Sequence, residues 1–125
     1  MVNDILFYAG SVIIFIWGVA HLIPTKSVVN GFGKILEDNI RIITMEWIAA
    51  GLTLCFIGLI SFIITYLGYS GDVVSILFYR LFAIMLIVLA IVSIFTGART
   101  SILPNKICPV IMTIVAILFL LGTIL

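Results

Sequence analysis

Three ionisable side chains, His21, Glu46 and Arg80, stand inside or at the edge of long apolar runs. In a bilayer such groups cost roughly 2.5–3.5 kcal/mol each on insertion scales, so each needs a partner or a purpose. Glu46 directly precedes Trp47 in the string ITMEWIAAGLTLCFIGL, and at helical spacing it shares a small, partly polar face with Ala49, Ala50 and Thr53. A neighbouring helix or a ligand can approach such a face closely. His21 closes the first apolar run, with Trp17 one turn before it on the same side. When consecutive runs cross a layer in opposite directions, His21 and Glu46 fall at one depth, with Arg99 at the end of the third run beside them. A carboxylate and an imidazole at the mouth of a bundle suit proton handling or capture of a polar ligand group. The same two residues serve equally well as an ion pair or hydrogen-bonded tie between the first two helices.

Arg80 lies about two turns beyond Asp72 and heads a stripe of Arg80, Ala83, Ile87, Ala90, Ile94 and Gly97, the face expected to pack into the bundle. As a binding group it would attract an anionic head group or substrate; as a structural group it would tie hairpins together, with Asp4, Tyr8, Tyr66 and Asp72 as its candidate partners. Cys55 and Cys108 belong to no CxxC pair, which argues against a disulfide and leaves thiol redox chemistry without a motif. The single histidine cannot supply both axial ligands of a buried haem, and no His, Cys and carboxylate set has metal-ligand spacing. Phosphate-loop, dinucleotide-binding and Ser-His-Asp patterns are absent, so the residues identify no cofactor.

The elements that must position these residues follow from composition. The 125-residue chain is 65% hydrophobic and 9% charged, against about 45–50% and about 25% for soluble domains, and its formal net charge is +1. Six basic and five acidic side chains cannot clothe a soluble surface, which argues against a water-soluble enzyme and a nucleic-acid binder. About 20 apolar residues cross a hydrocarbon core, and four stretches qualify: the spans are expected at 5–23, 42–67, 73–96 and 107–125. The first is expected to stay on as a transmembrane helix, since its front carries Asp4 and no basic residue and no cleavage pattern follows. Pro24 ends it.

The polar segment PTKSVVNGFGKILEDNIR joins the first two spans, and Val28, Phe32, Ile35 and Leu36 in it suggest a short interfacial helix that Gly31 and Gly33 weaken. Asp38 or Asn39 suits the cap of the second span, Gly97 the C-terminal cap of the third, and Pro109 the first turn of the fourth. Gly51, Cys55 and Gly58, and Thr113, Ala116 and Thr123, are expected close-packing seams. Trp17, Trp47, Tyr66 and Tyr69 are expected near head-group depth. Loops 24–41 and 98–107 carry most of the basic residues, so the positive-inside rule puts both in the cytoplasm and both chain ends outside. The abundance of isoleucine hints at an AT-rich prokaryotic genome, so the membrane is expected to be a prokaryotic plasma membrane.

The string Glu46-Trp47-Ile48-Ala49-Ala50-Gly51-Leu52, followed by Leu54 and Gly58-Leu59, resembles the DoxX-like membrane family, in which a carboxylate precedes a Gly-Leu-rich second helix. The four-span layout and the Gly18–His21 segment suit that family too. The basic residue that many members carry after the second-helix Gly-Leu is replaced here by Ile60 and Ser61. The resemblance implies a small four-helix subunit or accessory protein, in some members associated with quinone-linked oxidoreductases. The expected architecture is an all-α, four-transmembrane-helix antiparallel bundle with a short interfacial segment between helices one and two. The expected function is accessory or binding rather than enzymatic: a quinone-like or lipid-like molecule held near Glu46, His21, Trp17, Trp47 and Arg80, within the bilayer and beside a membrane redox partner. The alternatives are an oligomeric transporter or channel, built from a dimer or larger ring with Glu46 as its proton-coupling group, and a purely structural membrane partner.

Overall fold

Four long apolar helices and one short polar one make up the computed structural model, which describes residues 2–125. Helix α1 covers Val2–Leu22, α2 Thr25–Asn30, α3 Glu37–Tyr66, α4 Val73–Phe95 and α5 Leu103–Ile124, with a single 3₁₀ turn at Gly97–Arg99. The fold is all-α, and α1, α3, α4 and α5 are each long and apolar enough to cross a membrane. Large hydrophobic side chains such as Ile5, Phe56, Ile91 and Ile117 cover the outside, as expected of a surface solvated by lipid tails.

The ends of these helices differ from expectation where local chemistry overrides hydropathy. Helix α3 begins at Glu37, shortly before the start that a cap at Asp38 or Asn39 implies, and Leu36 holds the cap position instead. An ion pair between Arg41 and Glu37, 2.7 Å apart at i,i+4 spacing, supports this polar first turn in water. Helix α5 begins at Leu103 with Pro104 in its first turn, so Pro109 lies inside the helix and leaves the Asn105 carbonyl without its usual intrahelical donor. The interfacial helix stops at Asn30, and Phe32, Ile35 and Leu36 fall in the following loop, where Gly33 adopts φ +76°.

Helices are not arranged by simple sequence neighbours. The packed pairs are α3 with α1, α1 with α5, and α5 with α4, whereas α3 and α4, though joined by a short turn, touch only sparsely. In lipid no hydrophobic force draws helices together, so small residues that permit close van der Waals approach decide which pairs form. Along the α1–α3 seam, a Cβ on Gly58 would stand 2.7 Å from the Ser11 carbonyl oxygen, and one on Gly18 would stand 2.8 Å from the Cys55 amide nitrogen. Gly51 receives Leu22 in the same way. Between α1 and α5, Phe7 fills the groove at Gly122 and Phe119 the groove at Gly10.

One end of the bundle is tied shut. Phe7 stacks on Tyr79 with ring centroids 3.7 Å apart, and Phe119 flanks Tyr79 at 5.8 Å. Asn3 donates to the Gly122 carbonyl at 2.8 Å, Ser70 donates to Asp4, and the hydroxyls of Thr65 and Tyr79 share a 2.7 Å hydrogen bond that joins α3 to α4 beside their turn. Buried hydrogen bonds between membrane helices contribute about 0.6 kcal/mol on average and up to about 1.7 kcal/mol. A double-mutant cycle of Thr65→Val and Tyr79→Phe, read by unfolding in mixed detergent, is expected to return a coupling within that range. Coupling of zero would mean that this tie does not hold α3 against α4.

Candidate functional site

Away from the tied end, α3 and α4 are not drawn together, and the space between them is a cavity of about 650 Å³. All four spanning helices wall it: Trp17 and His21 from α1, Trp47, Ala50, Thr53 and Leu54 from α3, Leu89, Val92 and Ser93 from α4 with Thr96 just beyond its end, and Asn105, Cys108 and Met112 from α5. Pro24 and Val28 of the α2 segment close its rim. The C-terminal ends of α1 and α4 therefore meet the N-terminal ends of α3 and α5 around one chamber.

Its wall nearest α2 is built from a stacked pair. The His21 and Trp47 rings lie 3.9 Å apart and 14° from parallel, and the Trp47 indole N–H donates 2.7 Å to the His21 carbonyl oxygen. That carbonyl is among the last of α1, which have no intrahelical donor, so the indole satisfies an exposed helix end while its ring covers the imidazole. The close seam at Gly18 and Gly51 brings α1 near enough for this contact. One turn earlier on α1, the Trp17 indole N–H points to the Cys108 thiol at 3.3 Å and ties α1 to α5. Both indole donors are thereby used within the protein. The Thr53 and Thr96 hydroxyls donate to carbonyls of their own helices, Ala49 and Val92. His21 Nε2 is different: it is buried without a hydrogen-bond partner among the described residues.

Of the residues singled out from sequence, Trp17, His21 and Trp47 come together around the cavity, and Glu46 and Arg80 do not join them. The partner of His21 is Trp47, not Glu46, because one residue along a helix turns the side chain by about 100° and carries Glu46 off the α1 seam. Glu46 is exposed, and the helix beyond it, Trp47–Tyr66, is about 30 Å long and matches the hydrocarbon thickness, so the carboxylate sits at the head-group border. Replacing it by Gln is accordingly expected to change unfolding stability by less than about 0.5 kcal/mol and to leave ligand retention as in wild type. Native mass spectrometry combined with thermal unfolding checks both; a large loss in either would restore Glu46 to the site.

Arg80 is also exposed and donates to the Thr123 hydroxyl at 3.3 Å, with Asp4 engaged by Ser70 instead. The packed face of α4 is Ser75, Tyr79, Ala83, Leu86 and Ala90, so the stripe read from Arg80 is rotated: Ala83 and Ala90 are buried, but Arg80 and Ile94 face outward. Within a helix that is apolar on every side, hydropathy does not mark the buried face. Sequence reasoning missed the α4 and α5 contributions to the cavity. The available signal was Ser93 and Thr96, two hydroxyl residues on one face at the end of an otherwise hydrocarbon run. Cys55 and Cys108 are free thiols. No protein-family model, no curated protein and no solved structure matches the chain.

Proposed function

We propose that this chain is a small membrane binding protein that takes a lipid-like or quinone-sized molecule into the wedge between α3 and α4. The observation that carries this reading is the cavity of about 650 Å³ walled by Trp17, His21 and Trp47. Packed protein interiors hold few voids larger than a water molecule, and small-molecule sites measure about 300–1,000 Å³. Apolar walls with a few convergent polar groups are the usual lining of such sites. The likeness of the Glu46–Leu59 string to DoxX-like proteins adds the quinone class and a membrane redox partner to the expectation.

Lys26 and Lys34 lie between α1 and α3, and Arg99 and Lys106 around the start of α5, so these basic residues gather at the cavity end of the bundle. By the positive-inside rule this end is cytoplasmic, both chain termini are outside, and the ligand is reached from the inner leaflet of a plasma membrane. An oligomeric carrier with Glu46 as its proton-coupling group has no comparable support, because Glu46 lies outside the cavity lining.

The test is native mass spectrometry of the protein released from lipid nanodiscs, for wild type and for Ala50→Phe, which places a ring into the wedge. Wild type is expected to carry a small molecule of defined mass and the variant to be bare. A wild-type chain released without any adduct, or an adduct that the variant keeps at equal occupancy, would contradict the reading.

A further inference from the structure

The cavity wall carries a pattern that bears on the head group of its ligand, and the inference rests on the binding reading above. Not one Asp, Glu, Lys or Arg is among the lining residues, although this is the end of the bundle where basic residues gather. Arg99 is turned against the Phe95 ring, 5.6 Å from its centroid, and Lys26 and Lys106 are exposed outside the lining. A charged head drawn into this wedge would lose its water without meeting a counter-charge, which is strongly unfavourable in a low-dielectric site. An uncharged head loses far less, provided its oxygen finds one hydrogen bond. The wall supplies uncharged polar groups only: His21, whose Nε2 is buried and unpartnered, with Ser93 and Asn105, whereas both indole N–H donors and both threonine hydroxyls already donate within the protein. A neutral imidazole nitrogen either donates to a carbonyl oxygen or accepts from a hydroxyl, according to its tautomer. The Trp47 ring stacked on His21 sets the plane of the imidazole.

We infer that the wedge selects an uncharged amphiphile, a single apolar tail bearing one carbonyl or hydroxyl head that hydrogen-bonds at the end of the wall formed by His21, Ser93 and Asn105, and discriminates against anionic and cationic amphiphiles of the same length. The gap between α3 and α4 faces the bilayer region, so the tail lies between Leu54 and Val92 while the head rests against the His21 and Trp47 end.

The chain contains two tryptophans, and both wall the cavity, so tryptophan emission reports occupancy without any label. The experiment titrates nanodisc-embedded full-length protein with three bromine-tailed quenchers of equal length: 12-bromododecan-1-ol, 12-bromododecane-1-sulfonate and 12-bromododecyl-trimethylammonium. Quenching by the alcohol is expected to saturate at a concentration at least tenfold lower than for either ion, and excess dodecan-1-ol or decylbenzoquinone should displace it, the two arms separating a hydroxyl from a carbonyl head. In His21→Leu the alcohol is expected to bind about fivefold more weakly with helix content unchanged; in His21→Gln, which keeps a hydrogen-bonding head of similar reach, part of that loss is recovered. Equal half-saturation for the alcohol and an ion would overturn the charge selection while leaving the binding reading in place. Unsaturable quenching by all three, indifferent to Ala50→Phe, would overturn both.

Discussion

Gly58→Ala is expected to destabilise the bundle by about 1–3 kcal/mol, up to roughly a hundredfold in the ratio of folded to unfolded chain, for the addition of one methyl group. The new Cβ would stand 2.7 Å from the Ser11 carbonyl oxygen and 2.9 Å from the Phe15 amide nitrogen, so the atoms that must give way are backbone atoms of α1. A flexible side chain would swing aside, but a packed helix can only move as a body. Because van der Waals approach is the main force joining helices in lipid, separating α1 from α3 loosens the most extensive contact in the fold. Gly71→Ala provides the matched control: nothing lies within 4 Å of its added Cβ and its φ is not positive, so a change below about 0.5 kcal/mol is expected. Unfolding in mixed micelles, followed by circular dichroism, measures both. Equal stability of the two variants would mean that the α1–α3 seam is not held by close backbone approach.

The second large effect concerns the site. Trp47→Leu removes the ring that covers His21, the 2.7 Å hydrogen bond to the end of α1 and one of the two indole surfaces of the wall. The stack and the hydrogen bond hold His21 and the end of α1 in place, and the ring's own contact with a bound molecule, about 0.5–1.5 kcal/mol, is lost as well, so ligand retention should fall roughly tenfold. The fold should survive, since Gly18, Gly51 and Gly58 still seat α1 on α3. Trp47→Phe keeps a ring without the N–H and should lose no more than about fivefold. Ligand occupancy by native mass spectrometry across the three chains decides it: unchanged occupancy in Trp47→Leu would remove the aromatic wall from the account.

The membrane architecture was legible because four uninterrupted apolar runs admit few other outcomes, and their direction alternates with the short connections between them. Even the depth of the site could be read, since Trp17, His21 and Trp47 fall at one end of the runs that carry them. What could not be read was rotation. Glu46 and Trp47 are adjacent in sequence and differ by a quarter turn, and nothing in a helix surrounded by lipid says which of them meets His21. The same ambiguity turned the Arg80 stripe away from the packed face that Tyr79 and Leu86 occupy. The order of packing was hidden as well, because the hairpin partners α3 and α4 are the pair that stays apart. That separation depends on Gly18, Gly58 and Gly122 drawing α1 and α5 into the centre, a consequence of contacts far apart in sequence. Small residues at seam spacing were only partly a guide: Gly51, Cys55 and Gly58 do lie against α1 and Ala116 is buried, but Thr113 is exposed and the close approach on α5 is at Gly122. Which helix each seam joins was not legible.

A binding function requires the wedge between α3 and α4 to be occupied in the bilayer, and photolabelling there tests this directly. A long-chain alcohol carrying a diazirine on its tail would be irradiated with nanodisc-embedded protein and the adducts mapped by peptide mass spectrometry. Adducts concentrated on Ala50, Thr53, Leu54, Leu89, Val92 and Ser93, and suppressed by excess unmodified alcohol, are the result expected. Adducts spread over outward residues such as Phe56, Ile91 and Ile117, with no suppression by competitor, would mean that the molecule meets lipid only at its surface and that the wedge holds nothing.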